Sequence, residues 1–353
     1  MFVERQNKLL INMENEGIKN LLITKMENVF YYSGFRGTFG VLYVWDNRFF
    51  LITDGRYIEQ ANDQGNNIEI VPIKVSIASS VEGIYKPKKL YIEGYDVCFD
   101  LYSSLCKELK TKSVLSAGDI VQRARVEKDE FELEIIEEAV KIADDTFSYI
   151  VEYIEVGMTE KQVADEMEYF MKKQGASSSS FETIVASGKR SSLPHGVASD
   201  KIIENGDVIL LDYGAVYKGY CSDMSRTIFL GNTNSKIKEI YDIVLEAQLE
   251  VSKKVCAGMT LKNVDAIARD IIKRYGYGDM FVHSLGHGIG LEIHETPIVS
   301  HSADGILLER SVISNEPGIY LEGIGGVRIE DLLYIEKEGA RVLTKSSKDI
   351  FII

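Results

Sequence analysis

An internal repeat is the feature of this sequence that most constrains its fold. The segment GMTEKQVADEMEYFMKKQG begins at Gly157, and a similar segment, GMTLKNVDAIARDIIKRYG, begins 101 residues later at Gly258. Both have a threonine where a helix N-cap is expected, Thr159 and Thr260, and both end on glycine. The spacing is too long for a solenoid repeat. It predicts two half-domains related by pseudo-two-fold symmetry; the alternative is a chance similarity of two helix starts.

The sequence around the two copies is also repeated. A helical pattern precedes each copy, at about 131–154 and at about 236–256. The polar residues that follow are His195, Asp212 and Asp223 in the first copy, and His294, Glu316 and Glu330 in the second. Each half therefore offers one histidine and two carboxylates on β-type segments, and we expect the two sets to face each other across a shared site.

Two of these carboxylates belong to a predicted β-hairpin, residues 206–231. Its turn is expected at Lys218-Gly219, because glycine there is free to adopt positive φ. A hairpin centred near residue 218 places Asp212 and Asp223 opposite one another, to within one residue of register. Opposed side chains lie about 5 Å apart, and like charges there destabilise the pair. A divalent metal would supply the missing charge; the alternative is two aspartates that point into water.

The other two carboxylates follow apolar runs. Glu316 comes directly after the strand pattern SVISN, and GGVRIEDLLYI places Arg328 and Glu330 on one face of a single predicted strand. An unpaired charge inside so apolar a strand is very costly. Glu330 is therefore expected either to bind a metal or to form a structural ion pair with Arg328.

The histidines are concentrated in one stretch. The chain has five, and three of them (His283, His287 and His294) lie in HSLGHGIGLEIHETP, residues 283–297. The spacing matches neither HExxH nor the dinucleotide fingerprint GxGxxG. The glycines on both sides of His287 predict that the backbone passes close to a ligand or metal.

The four carboxylates and one imidazole indicate a dinuclear metal site. A formal charge of about -4 is neutralised by two divalent cations, and hard oxygen donors with one imidazole suit Mn²⁺, Co²⁺ or Fe²⁺, with Zn²⁺ possible. Two such ions about 3.5 to 4 Å apart activate a bridging hydroxide and polarise a carbonyl. The residues alone therefore predict metal-assisted hydrolysis.

Composition limits the setting and the partners. A net charge of -14 argues against nucleic acid, which needs a clustered basic face. No apolar run is long enough for a transmembrane span, and the first residues lack the layout of a signal peptide. The four cysteines show no CxxC spacing, so we expect a reducing, cytoplasmic setting and buried cysteine side chains.

The first 122 residues predict a smaller α/β unit without chemistry of its own. Its expected elements are a helix at 5–18, a strand at 20–24, a hairpin at 40–53 that turns at Asp46-Asn47, a helix capped by Asp54, a strand at 89–95 and a helix at 100–109. The basic stretch QRARVEKDE and a long helical pattern from about 128 to 153 follow it. We therefore predict two domains, 1–122 and 123–353.

Five separated motifs of the second domain resemble the metallopeptidase family of methionine aminopeptidases, aminopeptidase P and prolidases, which have the pita-bread fold. They are LPHG at 193–196, LLDYGAVYKGYCSDMSRT at 210–227, HSLGHGIGLEIHE at 283–295, NEPGIY at 315–320 and GGVRIED at 325–331. The first domain resembles the family's creatinase/prolidase-like accessory domain through YYSGFRGTFG and LITDGRYIEQA, which favours the Xaa-Pro-cleaving branch. The resemblance implies an α/β (α+β) chain with a pseudo-symmetric C-terminal pita-bread domain.

The resemblance also implies roles for individual residues. Metal ligation is carried over to Asp212, Asp223, His287, Glu316 and Glu330. Glu316 would additionally shuttle the proton of the attacking hydroxide, His294 would stabilise the oxyanion with help from His195, and His283, Tyr320 and Arg328 would line the substrate pocket. Two divalent ions per subunit, with Mn²⁺ preferred, small peptides with proline in second position, and a homodimer are implied as well.

The sequence departs from the family at two positions. Asn315 stands where a hydrophobic or hydroxyl residue is usual, and Ser225 where threonine is common; we expect neither to touch a metal ligand. An Xaa-Pro dipeptidase is the first interpretation, with Arg36 as one hypothetical contact for the substrate carboxylate from a partner subunit, although an ordinary surface arginine is the alternative. Aminopeptidase P acting on longer peptides is the second interpretation, and a metal-free binding protein of the same fold is a remote third.

Overall fold

The computed structural model describes residues 1–111, 113–232, 234–350 and 352. The chain forms two compact units, Met1–Arg125 and Val126–Ile353. The predicted boundary between residues 122 and 123 stays a prediction. In the described part of the chain, no helix combines the length and the apolar character needed to cross a membrane.

The first unit is built on a six-stranded sheet in the order β4-β3-β2-β1-β5-β6. Its helices are α1 (Phe2–Asn15), α2 (Met26–Ser33), α3 (Ile58–Gln64), α4 (Ile77–Ile84), α5 (Phe99–Leu109) and α6 (Ile120–Arg123), and its strands are β1 (Asn20–Ile23), β2 (Val41–Trp45), β3 (Arg48–Thr53), β4 (Glu69–Pro72), β5 (Lys89–Ile92) and β6 (Ser113–Ser116). The hairpin of β2 and β3 turns at Asp46 and Asn47, which have φ of 50° and 59°. These angles are those of a primed turn, so the predicted hairpin is confirmed.

The helix cap predicted in the first unit is present, but the predicted burial of the cysteines is not general. The side chain of Asp54 accepts a hydrogen bond from the backbone N–H of Arg56 and caps the 3₁₀ turn Gly55–Tyr57, as predicted. The prediction of buried cysteines is wrong as a general statement. Cys221 of the second unit is buried, whereas Cys98 is exposed at the start of α5, and Cys106 and Cys256 are partly buried.

In its described residues, the second unit combines four helices with short strands. The helices are α7 (Glu130–Tyr153), α8 (Glu160–Lys173), α9 (Ser235–Lys254) and α10 (Leu261–Arg274), and the 3₁₀ turns are Gly188–Ser192 and Gly278–Met280. The strands are β7 (Ser178–Ser179), β8 (Ile184–Ser187), β9 (Val208–Tyr213), β10 (Ala215–Tyr217), β11 (Tyr220–Cys221), β12 (Met224–Phe229), β13 (Gly286–Gly288), β14 (Glu295–Val299), β15 (Val312–Asn315), β16 (Gly318–Leu321), β17 (Gly325–Arg328), β18 (Asp331–Glu336) and β19 (Gly339–Val342). The mixed α/β class is confirmed.

The internal repeat corresponds to equivalent local structures. The Thr159 hydroxyl caps α8 through the N–H of Gln162, and the Thr260 hydroxyl caps α10 through the N–H of Asn263. Thr159 also forms an isolated β-bridge with Ile202, as Thr260 does with Ile306. Chance similarity of two helix starts does not explain shared caps and shared bridges, so the two copies are equivalent parts of two half-domains.

Each half places a sheet beside its helices. The first half contains the order β12-β9-β8, and the second contains β14-β13-β15-β18-β19. Two apolar clusters fill the space between helices and sheets. One includes Ile150, Met167 and Leu211, and the other includes Val251, Ile272 and Leu333. This packing holds the sheets against the helices, and the four predicted carboxylates lie at or near strand ends.

Candidate metal centre

The hairpin that carries Asp212 and Asp223 differs from the prediction in register. Asp212 of β9 pairs with Ser225 of β12, so Asp223 lies two residues from the position opposite Asp212. The turn at Lys218-Gly219 is confirmed, with φ of 46° and 85°. Because side chains alternate with a period of two along a strand, an offset of two keeps both carboxylates on one face. The predicted register is wrong, but the two carboxylates are still close enough for the charge of Asp212 to raise the pKa of Asp223.

Three of the four carboxylates lie in two-residue breaks between consecutive strands. Asp223 lies between β11 and β12, Glu316 between β15 and β16, and Glu330 between β17 and β18. The single strand predicted for GGVRIEDLLYI is therefore wrong, because the chain leaves the β16–β17 pair at Ile329 and joins another sheet at Asp331. Breaks of this kind free the carboxylates from strand pairing and let them converge.

His287 presents one ring nitrogen to the carboxylates. Its Nδ1 lies 3.0 Å from the carbonyl oxygen of Gly288, an acceptor that places the ring proton on Nδ1. Its Nε2 lies 3.3 Å from Oε1 of Glu316 and 3.5 Å from Oδ2 of Asp223. When Nε2 gives up its proton, a ring nitrogen held beside two carboxylates in this way can ligate a metal.

The cluster contains buried oxygen atoms without partners among the described residues. They are Oδ1 of Asp212, Oδ1 of Asp223 and Oε1 of Glu330. Ligand atoms of Asp223, His287 and Glu330 all lie within 4.8 Å of one another. A buried carboxylate oxygen without a donor is costly, and three of them beside one imidazole fit divalent cations that prefer oxygen with some nitrogen.

The pKa values of the carboxylates reflect their crowding. Burial raises the pKa of Asp223 well above its usual value, and the charges of Glu330 and Asp212 raise it further. Burial likewise raises the pKa of Glu330, with added repulsion from Glu316 and Asp212. Burial opposes ionisation of Glu316 too, but the hydrogen bond and charge of His287 prevail and lower its pKa to about 2. Protonation relieves this repulsion, and so would bound cations.

Arg328 pairs with Asp212 rather than with Glu330, so the proposed structural pair of Arg328 and Glu330 is wrong. One terminal nitrogen contacts Oδ2 of Asp212, and the other donates to Pro194 O (3.0 Å) and to the Tyr320 hydroxyl (2.8 Å). Its Nε donates over 2.8 Å to Ser225 Oγ, which itself donates to Oε2 of Glu330. Arg328 therefore reaches Glu330 only through Ser225.

The other histidines of the predicted site are His283, His294 and His195, and each has different surroundings. Nε2 of His283 is 2.9 Å from the Tyr320 hydroxyl, and the pKa of His283 is lowered by burial. The ring of His294 lies 4.4 Å from that of His287, centroid to centroid, and its pKa is lowered by burial and by the charge of His287. His195 is exposed, and its charge acts on His294. Neutral His283 and His294 can both donate hydrogen bonds.

The glycines beside His287 meet neighbouring backbone. A Cβ on Gly286 would collide with the carbonyl oxygen of Ser314, and one on Gly288 with that of Thr296. The predicted close approach is therefore present, but its partners are β15 and β14 rather than a ligand. Glycine here lets three strands pack closely and hold His287 in place.

Sequence reasoning missed two serines. Ser225 contacts Glu330 and Arg328, contrary to the expectation that it touches no ligand, and Ser314 accepts the His287 N–H (2.9 Å) and donates to Oε1 of Glu316 (2.9 Å). Asn315 contacts the backbone of Gln248 and the hydroxyl of Ser252 instead. Both missed serines are polar residues inside apolar strands, which is the signal that could have identified them.

Comparison with known proteins assigns the family. Residues 134–337 match Metallopeptidase family M24, and residues 5–126 match the Creatinase/Prolidase N-terminal domain. An Xaa-Pro dipeptidase of Pyrococcus furiosus is 42% identical over 98% of this chain and 99% of its own length. The structure of an Xaa-Pro dipeptidase from Bacillus anthracis is 43% identical and superposes with a TM-score of 0.97, covering 100% of both chains.

A third relative comes from the other branch weighed above. The structure of an X-Pro aminopeptidase from Thermotoga maritima is 40% identical, with a TM-score of 0.89, and the match covers 97% of this chain and 99% of that one. The predicted pita-bread fold is confirmed by these neighbours. With its converging carboxylates, its divalent-metal chemistry and its N-terminal domain, the chain belongs to metallopeptidase family M24.

Proposed function

We propose that this protein is an Xaa-Pro dipeptidase that hydrolyses the bond before proline in dipeptides with two divalent metal ions per subunit, Mn²⁺ being preferred. The observation that carries the proposal is the set of buried oxygens of Asp212, Asp223 and Glu330 that have no partner among the described residues and lie beside Nε2 of His287. The identity to Xaa-Pro dipeptidases over nearly the whole length of both chains supports the substrate class. A homodimer and a cytoplasmic location belong to the same proposal.

The carboxylates and His287 would hold the ions. The ligand set is Asp212, Asp223, His287, Glu316 and Glu330. When bound, the metal pair supplies Lewis acidity toward the scissile carbonyl and acidifies a water molecule. The Nδ1 contact to Gly288 keeps the His287 lone pair on Nε2, and Arg328 keeps Asp212 oriented from outside the cluster.

Proton transfer falls to Glu316. As an ionised carboxylate beside the other proposed ligands, Glu316 would accept a proton from the attacking water. The water oxygen forms a bond to the carbonyl carbon of the first residue, the C–N bond to proline breaks, and the proton passes to the proline nitrogen. The base is held by Ser314, which donates to Oε1 of Glu316.

Two further histidines, His294 and His195, would act on the substrate carbonyl. His294 lies beside His287 and is neutral because its pKa is lowered, so its ring N–H can donate to the oxygen on which negative charge develops. His195 would assist from the other half-domain. His283, Tyr320 and Arg328 form a connected chain of contacts that would line the substrate pocket.

Substrate length separates the dipeptidase from its alternative, an aminopeptidase, which the Thermotoga maritima relative favours. Purified protein loaded with Mn²⁺ is incubated with Leu-Pro, Leu-Pro-Gly and the control Leu-Ala, and release of leucine is followed. We expect cleavage of Leu-Pro and little of the other two. Comparable cleavage of Leu-Pro-Gly would favour the aminopeptidase instead.

Metal content tests the remote third interpretation. Elemental analysis of the purified protein should give about two transition-metal ions per chain. A metal-free binding protein would contain no stoichiometric metal and would leave all three peptides intact.

A further inference from the structure

A buried arginine outside the proposed ligand set connects the metal centre to a distant segment of the chain. Arg226 follows Ser225 on β12 and is 1% exposed. Its Nε donates to the carbonyl oxygen of Ser347 (3.1 Å), and one terminal nitrogen donates to Ser346 O (2.8 Å) and to Oδ1 of Asp331 (2.8 Å). A guanidinium is fully desolvated here, which is tolerated only when its donors are satisfied.

The other terminal nitrogen of Arg226 reaches the proposed ligand Glu330. It donates to the carbonyl oxygens of Ser225 (2.9 Å) and Glu330, so all five N–H groups of the guanidinium have acceptors. The N–H of Glu330 donates to the carbonyl oxygen of Ser225 over 3.1 Å. Both backbone polar groups of Glu330 are therefore fixed by the pair Ser225-Arg226.

The segment on the far side of Arg226, residues 345–349, is anchored by two further elements. Asp144 on α7 accepts the N–H groups of Lys345 (2.9 Å) and Ser346 (2.7 Å). Nζ of Lys348 lies 2.7 Å from Oδ2 of Asp331, whose other oxygen is bound by Arg226. The segment thus closes a network that begins at Glu330.

We propose that Arg226 is a positioning residue of the metal centre, and that the 345–349 segment holds Arg226 in place for that role. The inference rests on the metal site of the proposed function and goes beyond its ligand set. A carboxylate ligates well only when its backbone is fixed, and outer partners of ligands tune metal affinity by about 10- to 100-fold. A lysine at position 226 keeps the charge but cannot reproduce five directed hydrogen bonds.

The test compares metal affinity with stability. Isothermal titration with Mn²⁺ and thermal unfolding without metal are measured for the wild type and three variants, Arg226→Lys, Asp144→Ala and Ile272→Ala. Ile272 is fully buried in α10, so Ile272→Ala is the control that lowers stability without touching the network. We expect Arg226→Lys to weaken Mn²⁺ binding by about tenfold or more and Asp144→Ala by about threefold, with Ile272→Ala within about twofold of the wild type.

Two results would overturn the inference. One is an unchanged Mn²⁺ affinity in Arg226→Lys together with a lowered melting temperature, which a merely structural arginine would give. The other is an equal loss of affinity in Ile272→Ala. If Arg226→Lys does not fold, the same comparison is made with Asp144→Ala. An unchanged Mn²⁺ affinity together with a lowered melting temperature in that variant would likewise overturn the inference. A wild-type protein that binds no Mn²⁺ would instead defeat the proposed function itself.

Discussion

The hydroxyl of Ser225 donates a hydrogen bond to Oε2 of Glu330 over 2.8 Å, while Arg328 Nε donates to the same hydroxyl over 2.8 Å. Ser225 therefore connects a buried cation to a buried carboxylate that do not themselves form a pair. One oxygen of Glu330 is held by this hydroxyl, and the other, Oε1, is left without a partner in the described residues. The serine thus orients the free oxygen toward the cluster.

Removal of this hydroxyl should weaken the metal centre. Ser225→Ala leaves Oε2 of Glu330 and Nε of Arg328 without their partner, which costs about 1 to 3 kcal/mol in the free energy of unfolding. We expect Mn²⁺ affinity, measured by isothermal titration, to fall by about 10- to 100-fold. Ser225→Thr keeps the hydroxyl and is the matched control. Equal affinities of Ser225→Ala and the wild type would contradict this role.

Asp223 should make the metal-free protein less stable. Its carboxylate is buried among those of Glu330, Asp212 and Glu316, and like charges in such a site repel. Asp223→Asn keeps the shape and removes one charge. Without metal, we expect the free energy of unfolding of the variant to be about 1 to 3 kcal/mol higher than that of the wild type. We also expect that Mn²⁺ no longer stabilises the variant and that the variant no longer hydrolyses Leu-Pro.

The control for this substitution is Asp200→Asn. Asp200 is an exposed aspartate that pairs with Lys161 at the surface. Its removal should leave metal-free stability within about 0.5 kcal/mol of the wild type and leave the Mn²⁺ effect intact. Thermal unfolding of each protein with and without Mn²⁺ measures both quantities. A metal-free Asp223→Asn that is less stable than the wild type would show that the carboxylates do not repel.

Stability of the metal-free protein should fall as the pH rises above about 7. Burial raises the pKa values of Asp212, Asp223 and Glu330, and hydrogen bonding to Glu316 raises that of His287 against the effect of burial. A group whose pKa is raised on folding stabilises the protein below its unfolded pKa, and this contribution is lost as the pH rises through its folded pKa. The carboxyl contributions are therefore lost as the pH rises from about 4 upward and that of His287 as it rises from about 6.5 upward, so the fall in stability above about pH 7 is expected from the His287 proton.

Other groups do not mask this trend in the chosen window. The lowered pKa values of His283 and His294 act below about pH 6.5, where their unfolded states begin to bind protons, and the lowered pKa of Glu316 acts at still lower pH. Urea unfolding at about pH 7, 8 and 9 measures the slope, at most about 1.4 kcal/mol per pH unit for each proton. If the free energy of unfolding of the metal-free protein did not fall between these pH values, the prediction would be wrong. With Mn²⁺ bound, we expect the free energy of unfolding to change less with pH.

The sequence was sufficient for several features of local structure and for the grouping of Asp223, His287 and Glu330, while the full set of site residues stays a prediction. The helix caps at Thr159 and Thr260 and the turn at Lys218-Gly219 depend on side chains and φ angles within a few residues, and all three are confirmed. The carboxylate–histidine cluster followed from residue chemistry, since buried charges need compensation.

The contacts between distant segments could not be predicted in the same way. The partner of Arg328 and the role of Ser225 depend on the β9–β12 register and on the break at Glu330, which are set by packing over more than 100 residues of chain. The polar and apolar residues of GGVRIEDLLYI would alternate in the same way whether this segment formed one continuous strand or two strands in different sheets. Sequence reasoning therefore left metal binding and an ion pair with Arg328 open for Glu330, and only the structure excludes the direct pair.

The glycine before His287 provides the last prediction. A Cβ on Gly286 would collide with the carbonyl oxygen of Ser314, the residue whose hydroxyl accepts the His287 N–H and donates to Glu316. Gly286→Ala should therefore separate β13 from β15 and lower the free energy of unfolding by about 2 kcal/mol. We also expect weaker Mn²⁺ binding, because both His287 and Glu316 would be displaced.

The control is Gly339→Ala, because a Cβ on Gly339 of β19 meets no atom within 4 Å among the described residues. Its stability and Mn²⁺ affinity should remain close to those of the wild type, within about 0.5 kcal/mol. Urea unfolding and isothermal titration distinguish the two glycines. If Gly286→Ala bound Mn²⁺ as tightly as Gly339→Ala, the close packing of β13 on β15 would not be what holds His287 in position, and the glycines of this stretch would need another explanation.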